Sequence, residues 1–301
     1  MNKQSNYRSC QNKATIVGFS AILLWATLAL FTSLTNDGES IPPFQLLFLS
    51  FIIGASFNTF WLFMVKKLNH SIVTAPLKAW FLGVGGLFFY HFFYFNALSY
   101  APEVEASLIA YLWPLLIVLF SALLPNERLR WHYVVGALVA FCAAGALILL
   151  NSQADVVFTY QYITGYAFAF ICALIWALYS VFNRRFSGVS SAATVGFCYA
   201  VSLLALLSHL FSSEMWVMPT LTQWIGILGL GIGPVGAAFF VWDYGIKHGN
   251  IQLLGTLSYF APLLSTVLLV AFSDATISSG VVFGCCGIVL GAMIAVLPNR
   301  K

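Results

Sequence analysis

Apolar runs of about twenty residues follow one another from residue 14 to residue 297, separated by short polar breaks. A helix rises about 1.5 Å per residue, so each run can cross a hydrocarbon core roughly 30 Å thick. The pattern predicts ten helical spans, near 14–35, 42–65, 79–100, 103–125, 131–150, 163–183, 191–211, 221–245, 250–273 and 278–297. The longest connection, 151–162, is too short for a soluble domain. A polar start with Lys3, Arg8 and Lys13 ahead of 14–34 resembles a signal peptide only superficially. Its apolar part is too long for an h-region and no small-residue cleavage site follows, so it reads as the first span.

The charges fix an expected orientation. With the N-terminus inside, the odd connections contain Asp37, Glu39, Asp155, Glu214 and Asp274 and no lysine or arginine. All 13 basic residues fall in the even connections or the two termini, as the positive-inside rule requires. Both termini are therefore expected to be cytoplasmic.

An internal repeat adds a second constraint. Tyr111-Leu112-Trp113-Pro114-Leu115-Leu116 returns as Tyr259-Phe260-Ala261-Pro262-Leu263-Leu264. Gly83, Gly85 and Gly136 fall on Gly231, Gly233 and Gly284 at the same offset, and Leu24-Trp25-Ala26 is echoed by Ile175-Trp176-Ala177. Each copy holds five spans. Five is odd, so the second copy enters from the opposite face, which is an inverted repeat about an in-plane pseudo-two-fold axis. The expected organisation is a tail at 1–13, a five-helix unit at 14–150, an external linker at 151–162, a second unit at 163–297 and a tail at 298–301.

Pro114 and Pro262 lack the N–H that a helix needs and collide with the carbonyl four residues back, so both helices must bend or open. In lipid such a break is tolerated only against protein or a wet cavity. Matching broken helices in two halves point to a transported substrate, and they predict hinges at Pro114, Pro262 and Gly233-Pro234. The glycines also serve close helix packing.

Composition narrows the chemistry. The chain is 61% hydrophobic and 7% charged, against roughly 25% charged for a soluble domain, which excludes a water-soluble enzyme. The basic residues are dispersed, so the net charge of +4 is no nucleic-acid signal. Five of the six cysteines lie in apolar runs, and no Cys/His ligand spacing or cofactor motif predicts a metal or cofactor. Walker A, G-x-S-x-G and H-E-x-x-H motifs are absent, which leaves ATP drive and hydrolysis without residues.

Ionisable groups inside spans are few. His91 shares a helix face with Tyr94, one turn on, and reads either as a hydrogen-bonding or proton-sensitive wall of a cavity or as a neutral imidazole bonded to a neighbouring helix. Asp243, one turn before Lys247, reads as a charge pair first and a proton-coupling group second. Glu103 and Glu105 open span four, where the helix dipole favours acids. Trp61, Trp80, Trp131, Trp216 and Trp224 sit near span ends as an aromatic belt does. Trp25, Trp113 and Trp176 do not. With Tyr94, Tyr111, Tyr179 and Tyr259 they predict an aromatic-lined pocket suited to planar or apolar solutes.

These motifs resemble the EamA family of the drug/metabolite transporter superfamily over essentially the whole chain. Tyr111-Leu112-Trp113-Pro114, residues 244–250 (Tyr-Gly-Ile-Lys-His-Gly-Asn) and Ser258-Tyr259-Phe260-Ala261-Pro262 resemble the YddG-type aromatic amino acid exporters within it. That resemblance implies a ten-helix carrier exporting aromatic or other bulky neutral amino acids across a bacterial inner membrane. It also implies a central cavity lined by His91, Tyr94, Tyr111, Trp113 and Trp176. Glu127 matches an acid found after span four in the family. Its second-half counterpart is replaced near Asp274-Ala275, and Asp243 stands where the resembled chains carry a neutral polar residue. The export direction comes from the resemblance alone, because an inverted repeat is nearly symmetric across the membrane. Multidrug and nucleotide-sugar carriers are rivals within the superfamily, and both lack residues here: span one has no acid, and no basic residue is expected at mid-span. A membrane-embedded enzyme or an accessory receptor is the rival from another class. The expected partners are a small solute and the bilayer, with protons as a candidate co-substrate.

Overall fold

The computed structural model describes residues 3–67, 70–125, 127–151, 158–272 and 279–297. Span one comprises α1 (Lys3–Ala26) and α2 (Leu28–Thr35), span two is α3 (Pro43–Met64) and span three is α4 (Leu77–Tyr100). Span four comprises α5 (Glu103–Ala110) and α6 (Trp113–Phe120), and span five is α7 (Trp131–Asn151). Spans six and seven are α8 (Ile163–Asn183) and α9 (Ala193–Phe211). Span eight runs through α10 (Leu221–Leu230), a π-helical segment (Gly231–Ala237) and α11 (Ala238–His248). Span nine comprises α12 (Ile251–Leu257) and α13 (Phe260–Phe272), and span ten is α14 (Ser279–Ala295). Among the described residues nine helices are long and apolar enough to cross a bilayer, and Val282–Ala295 is a shorter apolar helix. Asp155, Asp274, Ala275, Arg300 and Lys301 lie outside the described residues.

Local chemistry sets the helix starts. Prolines stand at or just before the first turns of α3, α4 and α5, where a missing N–H costs nothing. Thr220 and Gln223 form a reciprocal capping box on α10, and Asn250 caps α12. The polar start is itself helical, since α1 begins at Lys3.

Helix packing obeys the exchange of halves. That exchange maps α1–α2 on α8, α3 on α9, α4 on span eight, α5–α6 on α12–α13 and α7 on α14. Under it the α4–α8 and α1–α11 contacts trade places, as do α6–α8 with α1–α13 and α6–α7 with α13–α14. The α3–α9 and α7–α14 pairs map onto themselves. An all-helical membrane fold of two inverted five-helix halves accounts for this pattern, and the odd span number dictates it.

Both proline breaks occur where the sequence places them, after Ala110 and after Leu257. The repair is not symmetric. The Leu115 N–H donates to the Tyr259 hydroxyl (3.2 Å), which donates to the Tyr111 carbonyl (3.3 Å). A fully buried side chain of the second half is thus spliced into the backbone ladder of the first, between groups that a regular helix would join directly. In the second half the Ser258 carbonyl, which Pro262 was expected to free, instead accepts from the Ala261 N–H at 3.1 Å. Two further irregularities differ from expectation. Span one breaks at Thr27, whose N–H and hydroxyl both bond back to the Leu24 carbonyl. Span eight widens into π turns around Gly233-Pro234, which accommodate the proline without ending the helix.

The end of the molecule that carries the basic connections is closed. Helices α1 and α11 cross at Gly18 and Gly245, so close that a Cβ on Gly18 would stand 2.9 Å from the Gly245 Cα. Arg184 binds Glu127 at 2.8 Å and donates to the carbonyls of Ile246 and Gly249, capping α11. Lys247, expected in a surface connection, is instead buried. It pairs with Asp243 at 2.9 Å and donates to the Val189 carbonyl, while the Asn183 amide donates to the second Asp243 oxygen at 2.6 Å. The charge-pair reading of Asp243 matches this geometry.

Two stability outcomes follow. Tyr259→Phe leaves the Leu115 N–H and the Tyr111 carbonyl without their bridge and should cost about 1–3 kcal/mol, read as a lowered midpoint of thermal unfolding in detergent. Lys247→Met alone strands a buried carboxylate and should cost about 3–5 kcal/mol. Asp243→Asn combined with Lys247→Met should recover most of that loss; a double variant as unstable as the single would refute the pairing.

Candidate functional site

Four indoles meet at the centre of the bundle. Trp25, from the end of α1, has its ring centroid 6.0 Å from Trp113, 5.7 Å from Trp176 and 5.0 Å from Trp242. Trp113 lies 6.2 Å from Trp176 and 6.0 Å from Trp242, both edge-on. Phe239 closes one flank, 5.6 Å from Trp176 and 6.2 Å from Trp25, and Tyr90 and Tyr179 flank Trp176 at 5.1 and 5.3 Å. Residues from spans one, three, four, six and eight therefore share one cluster, held in the edge-on and tilted geometries that ring quadrupoles favour.

Hydrogen bonding sorts these indoles into two kinds. The Trp25 N–H donates to the Pro234 carbonyl at 3.0 Å, tying α1 to the π segment, and the Trp242 N–H donates to Ser180 at 3.2 Å. Trp113 and Trp176 have no acceptor among the described residues. Their donors are available to a solute, whereas those of Trp25 and Trp242 hold the scaffold.

The polar wall lies on α4 and at the span-four break. Tyr90 and Tyr94 stack with their rings 6.3 Å apart and nearly parallel, and Tyr94 approaches Ser107 at 3.4 Å. His91 donates from Nδ1 to the Leu87 carbonyl at 2.7 Å, which leaves Nε2 as its second polar atom, and its ring meets Phe51 at 5.3 Å. Tyr90, His91, Tyr94 and Tyr111 are half-buried, while Trp113, Trp176 and Tyr179 are buried. Among the described residues, no charged side chain is one of the rings that form the cluster. Asp243, directly after Trp242 of the cluster, pairs with Lys247 at 2.9 Å.

The expected site residues divide accordingly. Trp25, Tyr94, His91, Trp113, Trp176 and Tyr179 gather around one centre. Tyr259 does not join them; its hydroxyl is committed to the span-four backbone, and its ring packs 6.1 Å from Phe141. Pro114 and Pro262 are buried at the two breaks, and Gly233 lies in the π segment with near-open space beside its Cα. Trp242 and Phe239 were missed. The offset that places Tyr111 on Tyr259 also places His91 on Phe239 and Tyr94 on Trp242, so the repeat held the signal.

Comparison with known proteins agrees with this architecture. The EamA-like transporter family model matches residues 12–150 and again 163–297. The chain is 47% identical over 293 residues to "Aromatic amino acid exporter YddG" of Ancylobacter novellus, covering 97% of this chain and 99% of that protein. It is 26% identical over 305 residues to the Escherichia coli protein of the same name, covering 97% and 99%. A solved crystal structure matches with a TM-score of 0.90 and 46% identity, over 95% of this chain and 97% of that one. With both halves matched and relatives covered end to end, the chain belongs to the EamA-like transporter family.

Proposed function

We propose that this transporter exports aromatic amino acids, with other bulky neutral ones as secondary substrates, across a bacterial inner membrane by alternating access. The observation that carries this reading is the indole cluster, in which the Trp113 and Trp176 N–H donors have no acceptor among the described residues and lie beside a hydroxyl-rich wall. An aromatic side chain would lie against Trp113 and Trp176, with Trp25 and Tyr179 behind them. The polar end of the substrate would reach the Nε2 of His91 and the hydroxyls of Tyr94 and Tyr111. A neutral zwitterion needs dipoles rather than a net charge, and the wall supplies dipoles. The name borne by the relatives of 47% and 26% identity supports the same class.

Placing the basic end in the cytoplasm follows the positive-inside rule. A tightly packed basic end is what an outward-facing or an occluded conformation of such a carrier requires. Opening inward would separate α1 from α11 at Gly18 and Gly245, with Pro114, Pro262 and Gly233-Pro234 as the hinges. Asp243 acts in this seal through Lys247, and His91 is the remaining candidate for proton coupling.

Counterflow of labelled tryptophan and phenylalanine into proteoliposomes tests the substrate and the pocket together. Trp113→Ala and Trp176→Ala should each lower exchange about tenfold or more, the equivalent of about 1.4 kcal/mol; normal exchange by both at wild-type abundance would remove the site. A pH gradient that changes exchange by the wild type but not by His91→Gln would assign coupling to His91. For orientation, a membrane-impermeant maleimide should label Glu39→Cys in intact cells and Lys67→Cys only after permeabilisation. Gly245→Ala, whose new Cβ would run into the Gly18 backbone, should spread the basic end and shift labelling of cysteines there upward.

A further inference from the structure

A polar cavity of about 430 Å³ opens at the basic end, away from the indole cluster. Its volume falls within the range of ligand pockets, roughly 300–1,000 Å³. Arg8 from α1 and Arg128 from the α6–α7 connection line it, with Arg130 on the same wall and Tyr133, Asn250 and Gln252 among the remaining lining. The floor is built rather than incidental. Gln252 is 2% exposed and donates to the Ser121 hydroxyl and to the Arg128 carbonyl, which pins the backbone that presents the Arg128 guanidinium. Tyr133 is 7% exposed, and its oxygen accepts from the Asn250 amide at 2.7 Å. Its own hydroxyl hydrogen has no acceptor among the described residues. The cavity's one carboxylate, Glu127, is taken by Arg184 at 2.8 Å. Arg8, Arg128 and a buried hydroxyl donor therefore line this cavity, and among the described residues its lining holds no acid besides Glu127.

We propose that this cavity is an oxyanion site for a group of phosphate chemistry, either the headgroup of an anionic phospholipid or free phosphate. Arg8 and Arg128 clamp the oxyanion with the paired donors that suit phosphate, and Tyr133 donates from the floor. Basic pockets between membrane helices on the cytoplasmic side take headgroups by the same chemistry. The walls come from both repeats: α1, the α6–α7 connection and α7 from the first, and the start of α12 from the second. An anion seated here joins the halves on the closed side, so it binds this conformation in preference to one in which those walls have parted.

The test uses the full chain in a neutral detergent, with native mass spectrometry for lipid and isothermal titration for phosphate. The probes are phosphatidylglycerol, phosphatidylcholine and inorganic phosphate. One equivalent of phosphatidylglycerol should be retained over phosphatidylcholine, or inorganic phosphate should bind saturably; the first outcome names a lipid source and the second a free one. Arg8→Gln with Arg128→Gln should weaken the bound probe at least about tenfold, and Tyr133→Phe should weaken it several-fold. Lys67→Gln with Lys78→Gln, which removes two charges outside the cavity, should leave binding unchanged. Unaltered binding by the arginine double variant, equal loss by the lysine double variant, or no binding of either anion would overturn the site.

Discussion

Hydrocarbon does not solvate a backbone N–H or carbonyl, and every irregular feature of this bundle answers to that constraint. Prolines in spans four and nine interrupt the hydrogen-bond ladder inside apolar helices. The interruptions survive because they face each other across the pseudo-two-fold axis, where Tyr259 of one half repairs the backbone of the other. The π turns around Pro234 and the back-bonded Thr27 solve the same problem locally. The indole cluster depends on these solutions: Trp113 begins the helix after the first break, Trp25 ends the helix before Thr27, and the Trp25 N–H lands on the carbonyl of Pro234 itself. Three interruptions therefore converge on one site, and the backbone irregularity there is part of the wall.

Much of this was legible in the chain. Span number followed from apolar length, the inverted relation from an odd number of spans, and both proline breaks from residue chemistry alone. Trp25, Trp113 and Trp176 could be singled out because bulky indoles far from both interfaces need another reason to be there. What escaped had physical causes. Trp242 stands next to Asp243 in a segment that reads as the polar end of a span, so its depth was hidden by the charge beside it; only the offset relating it to Tyr94 marked it. Lys247 counted correctly among the basic residues of one end, yet its burial depended on Asp243, Asn183 and the Val189 carbonyl, from three separate places in the chain. Tyr259 looked like the twin of Tyr111, because sequence alignment equates positions and cannot show which of two equivalent hydroxyls crosses the axis.

The two ends of the bundle are built on different physics. The basic end is held by guanidinium and ammonium groups that reach inward to carbonyls and carboxylates, together with a glycine crossing that admits no side chain. The centre is held by two indole N–H bonds, to the Pro234 carbonyl and to Ser180, and otherwise by ring contacts, which tolerate changes of angle at little cost. A seal of directional bonds opens cooperatively or not at all, whereas a ring cluster can reshape around an occupant.

The repeat departs from itself at a few informative places. His91 faces Phe239 across the pseudo-symmetry, Tyr94 faces Trp242, and Trp113 is answered by Ala261. In a chain duplicated without error, the conformations open to opposite sides would be superimposable and equal in free energy. Each unequal pair lifts that degeneracy, because the side chain exchanged into the new position is not the one that left. The resting bias of the carrier is therefore written in the handful of sites where its two copies have ceased to agree.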